Sequence, residues 1–310
     1  MSIRNRDYVE ELRNMDNSRI GLYAVLLFGI VFYLFPVETA VMTMFKTQGE
    51  FARTLPFAPP SGDGFTLSAL ATAWNTLRPG LMNSLLMAIP ATIMSALLGS
   101  LTAYGLTTIS WRGQVGVVVL IIAGIFIPYQ AVLVPLAQFW YQILPGLLNG
   151  FVNTVFGFIT GGNWTYPSRN GYVQLMQLSI THAAYGIPIC TLLFRSYYQA
   201  ISDEMIEAAR LDGASAFSIY RNIILPLSLP MFAVTLIYQF TQVYNDLLFA
   251  LVLVNEPAAQ VATQRLAALT GGVVQSFNTT MAGAIVAAFP TLLVYIVFGE
   301  QFAKGVAGEN

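Results

Sequence analysis

Six long apolar runs constrain this chain more than any other feature. They cover residues 20–45, 82–107, 115–143, 174–198, 229–254 and 280–300. A helix needs about 20 apolar residues to cross a bilayer, and each run meets or nearly meets that length. The runs are continuous and lack the ten-residue alternation of a membrane β-barrel. Charged residues make up only 9% of the chain, against about 25% in a soluble domain. The expected fold is therefore all-α, a polytopic membrane helix bundle with six transmembrane helices. Pro128 and Pro135 interrupt the third run and predict a kink there.

Six spans place both termini on one side. In that topology Arg4, Arg6, Arg13, Arg19, Arg112, Arg195, Arg210, Arg221 and Lys304 fall on the side of the termini. Lys46, Arg53, Arg78, Arg169 and Arg265 fall on the other. The excess predicts cytoplasmic termini in the plasma membrane. The expected organisation is a cytoplasmic segment over 1–19, a transmembrane domain over 20–300 and a cytoplasmic tail over 301–310. Residues 1–19 include Asp7, Glu10, Glu11 and Asp16, unlike the short basic start of a signal peptide, so the first span is expected to be retained. Outside, 46–81 reads as an irregular loop that returns to the membrane as Phe65–Thr76, and 146–171 as a long connection.

Chemistry-bearing motifs are few. The sequence has no phosphate-binding loop and no H-E-x-x-H zinc helix. One cysteine, Cys190, excludes an internal disulfide and a cysteine cluster for zinc. The one histidine, His182, lies within the fourth span, where a structural hydrogen-bonding role and a functional role both remain open. The net charge of −1 gives no reason to expect nucleic acid. Polar groups gather in the fifth span at Gln239, Thr241, Gln242, Tyr244, Asn245 and Asp246. Gln239, Gln242 and Asp246 are spaced to share one helical face. That face is costly against lipid, so it should line either a translocation path or a helix–helix contact. Tyr129, Gln130 and Gln138 are weaker candidates for the path.

The most charged segment lies between the fourth and fifth runs. Ser202 is placed to cap a helix whose first turn holds Asp203 and Glu204. Met205, Ile206, Ala209 and Leu211 fall near one face, and Gly213 stops the helix. Ala214 to Asn222 can form a second short helix, and Pro226 and Pro230 mark the return to the membrane. Small residues at Ala208, Ala209 and Gly213 let a partner's backbone come close.

Glu207-Ala208-Ala209, three residues, Gly213 and then Ile224-Leu225-Pro226 resemble the signature loop of permease subunits in binding-protein-dependent ABC importers. Ile201-Ser202-Asp203-Glu204, Pro226-Leu227-Ser228-Leu229-Pro230, Asn83-Ser84, Ala103-Tyr104-Gly105-Leu106 and Tyr244-Asn245-Asp246 resemble the carbohydrate, maltose-type branch. The resemblance implies a sugar or oligosaccharide as substrate and a cytoplasmic coupling helix within a loop over about 199–228. Glu204, Glu207, Ala208, Ala209, Asp212, Gly213 and Pro226 would be its coupling residues. Gln239, Gln242, Tyr244, Asn245 and Asp246 are the candidates for the substrate path. It also implies a homologous second permease, two ATPase subunits and an external solute-binding protein as partners. This chain would bind no cofactor and catalyse nothing itself, with ATP and Mg on the ATPase subunits. The alternatives are an importer of the same type for a polyamine or glycerol phosphate, and an ion-coupled secondary transporter, which would usually show an internal repeat.

Overall fold

The computed structural model describes residues 17–109, 111–271 and 276–307. Their elements are helical apart from a single isolated bridge between Lys46 and Phe65. Two compact units are present, one of residues up to 74 plus 276–286 and the other of 75–271 plus 287–307.

In the first unit, α1 (Asn17–Met44) is a helix with large exposed apolar side chains such as Phe28, Phe32 and Tyr33. So continuous an apolar surface would not be stable in water and suits lipid. Beyond it the loop that leads to the next long helix has its own framework. Lys46 is fully buried, and its Nζ donates to Leu55 O at 2.6 Å, Thr54 Oγ1 at 3.1 Å and Pro56 O at 3.3 Å. The buried Asn278 amide donates to Lys46 O at 2.9 Å.

The helix α2 (Ser68–Thr107) runs for 40 residues through Pro79 and Pro90. The stretch expected to be a separate membrane return, Phe65–Thr76, is therefore largely its first turns. Apolar neighbours and membrane surroundings tolerate the two missing N–H donors.

In the second unit the third apolar run is broken. It forms α3 (Gln114–Ile125), a gap at 126–128, and α4 (Tyr129–Gln138). Pro128 supplies the break, because it excludes a helical residue before it. A π turn at Phe139–Ile143 joins α4 to α5 (Leu144–Val155). Helix thus continues well past residue 146, into the expected outer connection. Next come α6 (Gly171–Tyr198), capped by Asn170 Oδ1, and α7 (Asp203–Leu211). A second π turn, Tyr220–Ile224, follows α8 (Ala216–Ile219) and leads into Leu225–Leu227. Each π turn precedes an Ile-Leu-Pro sequence. Pro145 and Pro226 lack the N–H that would serve the carbonyls of Tyr141 and Asn222. The residue before each proline donates five residues back instead, Leu144 to Phe139 and Leu225 to Tyr220.

The fifth run is also not one helix. It forms α9 (Leu229–Tyr244), bent by 75° from the helix before it, then a break at 245–247 and α10 (Leu248–Leu253). Asp246 Oδ2 accepts from Phe249 N at 3.0 Å, so the carboxylate caps α10 and stabilises the break. The remaining helices are α11 (Ala262–Thr270) and α12 (Phe277–Ala307). Among the described residues five helices are long and apolar enough to cross a membrane, or six if the bent pair counts as one. The expected number of six is thus reached when the bent pair counts as one, with the third candidate at Tyr129–Val155 and the bent one ending at Tyr244 rather than over 115–143 and 229–254.

Candidate functional site

The charged segment folds much as its sequence indicates. Ser202 stands at the N-cap position of α7, but its hydroxyl donates to the Glu204 carboxylate rather than accepting a backbone N–H. That bond is the main reason the exposed Glu204 carboxyl titrates below the usual carboxylate range. Gly213 ends the helix with φ +82°. Ala214 N donates to Ala209 O and Gly213 N to Arg210 O, each at 3.0 Å, the paired bonds of a Schellman cap. Ser215 Oγ then accepts from Ser218 N and starts α8.

The apolar face of α7 is narrower than expected. Ile206 is buried and Ala209 packs on the same cluster, whereas Met205 is exposed and Leu211 is 89% exposed. Glu204, Glu207, Ala208, Asp212, Gly213 and Pro226 are exposed together with them. A cavity of about 290 Å³ lies behind α7, lined in part by Arg195, Asp203, Glu207 and Arg210. Arg210 donates to Thr108 O beyond the end of α2, and among the described residues no ion pair joins these four charges.

A second cavity of about 230 Å³ opens among α4, α6 and α9. Gln239, Gln242 and Asp246 all line it, although Asp246 lies beyond the end of α9 rather than on its face. His182 is buried, and its Nε2 stands 3.6 Å from Asp246 Oδ2, too far for a hydrogen bond. Tyr129 and Tyr185 stack with centroids 4.5 Å apart and pack edge-on against Phe249. The Tyr185 hydroxyl donates to Ile127 O in the gap before α4, which holds that broken run against α6. Gly186 makes room for Gln239, because a Cβ there would lie 2.0 Å from Gln239 Nε2 and 2.5 Å from Ser95 Oγ.

Four sequence candidates, Gln130, Gln138, Tyr244 and Asn245, do not line this cavity. Tyr244 is turned into the bundle, 2% exposed, with its hydroxyl donating to Ala287 O at 2.9 Å. Asn245 is exposed at the helix break and does not line the space. Conversely, Tyr185, Tyr238 and Gly186 line it and were not singled out by sequence. Their only signal was a tyrosine or glycine in the middle of an apolar run, which is common. The arrangement offers hydroxyl-sized partners of both kinds beside aromatic faces.

Asn83 and Ser84 brace the far end of this unit. Asn83 Nδ2 donates to Ala258 O and Gln260 O, and Ser84 Oγ accepts from Ala262 N at 2.9 Å.

Known proteins resemble the chain along nearly its whole length. The chain is 48% identical over 311 residues to the xylose/arabinose import permease protein XacI of Haloferax volcanii, covering 98% of this chain and 97% of that one. It is 28% identical over 291 residues to the glucose import system permease protein GlcU of Saccharolobus solfataricus, covering 92% of each. A crystal structure of a bacterial ABC transporter that imports the acidic polysaccharide alginate shares the fold, with a TM-score of 0.62 at 19% identity over 93% of this chain and 99% of that one. Residues 95–307, from within α2 through the α7–α8 segment and the cavity to the end of α12, match a single family model. With several apolar helices, that match makes this a multi-pass membrane protein, and the chain belongs to the family of binding-protein-dependent transport system inner membrane components.

Proposed function

We propose that this chain is one of two membrane subunits of an ATP-driven sugar importer, and that its own cavity receives the sugar during passage. The carrying observation is the 230 Å³ space lined by Gln239, Gln242 and Asp246 beside the Tyr129–Tyr185 stack. Sugars present hydroxyls that both donate and accept, and C–H faces that rest on aromatic rings. The space is small for a ligand site, typically about 300–1,000 Å³, and suits one sugar unit. The names of the xylose/arabinose and glucose permeases support a monosaccharide.

In this reading the partners are a homologous second permease, two ATPase subunits and an external solute-binding protein. The termini and the 199–228 loop lie in the cytoplasm. Glu204, Glu207 and Asp212 form an exposed acidic rim on α7 and meet a cationic cleft of the ATPase. Ala208 and Gly213 keep the approach close, Ala209 seats α7 on the cluster beneath it, and Pro226 fixes the return to the membrane. ATP and Mg belong to the ATPase subunits, and this chain binds no cofactor. Gln242 and Asp246 are the polar contacts of the sugar, while Tyr244 holds α9 to α12.

The test is uptake of labelled xylose and glucose by the assembled complex in ATP-containing proteoliposomes. Gln242→Leu and Asp246→Leu each lower uptake about tenfold, the loss expected for one strong hydrogen bond, while the ATPase subunits still co-purify. Asn245→Leu transports normally. Normal uptake by both cavity variants, or no neutral sugar taken up by the unmodified complex, would overturn the reading.

A further inference from the structure

Three buried hydroxyls meet where the docking segment touches α2. Ser100 Oγ lies 2.6 Å from Tyr198 Oη and 2.8 Å from Tyr220 Oη. Ser100 is on α2, Tyr198 ends α6, and Tyr220 opens the π turn that follows α7 and α8. All three are at most 6% exposed and sit in a cluster that includes Ala96, Phe194, Ile206, Ile219, Ile224 and Phe232. One turn along α2, Tyr104 packs its ring 5.3 Å from that of Tyr220 and donates to Ala216 O at 2.8 Å.

These contacts are placed unequally along α2. Ser100 and Tyr104 hold the docking segment. Ser95, on the same helix, meets the cavity wall: it accepts from Gln239 Nε2 at 3.4 Å, and its proton is shared between Ala91 O at 2.8 Å and Ala183 O at 3.2 Å. A helix of this short reach is stiff, so a displacement at Ser100 arrives at Ser95. The docking segment is also joined to α9 through the chain, across the 75° bend at the buried Ser228. The lateral hydroxyls offer a second connection, one that runs through α2.

The hydroxyls are costly to separate. Drawing Tyr220 away from Ser100 would leave the Tyr220 hydroxyl buried without that partner, while Ser100 keeps its bond to Tyr198. A moving docking segment therefore carries α2 with it rather than sliding past.

We infer that the Ser100–Tyr198–Tyr220 joint transmits movement of the docking segment through α2 to Gln239 and the cavity. The inference rests on the importer reading, since the movement it transmits is that imposed by the ATPase. Ser100, Tyr198 and Tyr220 are positioning residues: none of them touches the cavity.

The experiment uses the assembled complex with Cys190→Ala and a single reporter thiol, Gln242→Cys, in the cavity. The labelling rate of that thiol is measured with and without ATP plus vanadate. With the joint intact, ATP and vanadate change the rate about fivefold or more, the lower range of coupling between sites. Tyr220→Phe and Tyr198→Phe keep the ring and remove only the hydroxyl. Each reduces that change to less than half while vanadate trapping and ATPase co-purification stay at the parent level. Tyr197→Phe, whose hydroxyl bonds Leu227 O outside the joint, leaves it unaltered. An undiminished change in both joint variants overturns the inference. So does a loss that merely follows lower assembly or thermal stability, since that is what a packing role gives. If one tyrosine variant does not assemble, Ser100→Ala decides by the same readout. Absence of any ATP-dependent change with the joint intact sinks the importer reading, and the joint with it.

Discussion

Replacing Gly213 separates two reasons for a glycine at the end of α7. Its φ of +82° is one that side chains disfavour, by about 1–2 kcal/mol per residue. The space a Cβ would enter is empty to 4 Å, so within this chain the cost is conformational and not steric. A penalty of that size changes the population of the native cap by a factor of about 5–30. A partner that recognises only the native loop then binds more weakly by up to the same factor. Asn tolerates the left-handed region and should lose least, Ala should show the full effect, and β-branched Val should be worst. The assay is ATPase-subunit binding to the immobilised permease across a concentration series, with substrate-stimulated ATP hydrolysis measured alongside. The order Asn, Ala, Val, from mildest to most severe, supports backbone conformation as the cause. If Gly213→Asn is as damaging as Gly213→Val, the partner excludes any side chain and the conformational argument fails. Wild-type binding by Gly213→Ala would refute both accounts.

Three further predictions follow from particular contacts. Gly186→Ala drives Gln239 away from Ser95 and costs about 1–3 kcal/mol as overpacking. Thermal unfolding of the detergent-solubilised complex checks this, and adding Gln239→Ala should recover part of the loss. Lys46→Met removes the donor shared by Leu55 O, Pro56 O and Thr54 Oγ1, a loss of about 1–3 kcal/mol, and should speed proteolysis of the 47–64 loop, with unchanged cleavage showing the buried amine to be dispensable. In a Cys190→Ala background, Leu211→Cys should react with impermeant thiol reagents only from the cytoplasmic side and Asn163→Cys only from outside; the reverse pattern would invert the proposed topology.

The apolar runs located four of the candidate spanning helices, because lipid demands length and low charge over whole segments, whereas the third and fifth runs are broken and their candidate spans are shifted. The charged segment between the fourth and fifth runs was legible too, since its helix, its Gly213 cap and the helix beyond it are encoded locally. The interruptions were not. Nothing in Tyr244-Asn245-Asp246-Leu247 distinguishes a continuing helix from one that stops and is recapped by Asp246, because the outcome depends on neighbours that satisfy the freed backbone. That break moved Asp246 off the expected face yet kept it at the cavity, and turned Tyr244 toward Ala287. Nor could sequence pair Tyr185 with Tyr129, which are brought together only when the broken third run folds back on α6.

The two π turns give the chain a length constraint that substitution alone would not reveal. Each places a surplus residue in a turn, and one residue is worth about 100° of rotation and about 1.5 Å of rise in an ordinary helix. With four residues in place of Tyr220–Ile224, a regular helix would form with the later residues facing more than a quarter-turn away. The bend at Ser228 would then aim α9 in another direction, and Gln239 would no longer meet Ser95. In this stretch the count of residues acts as a phase setting, one that aligns the exposed face of α7 with the wall of the cavity.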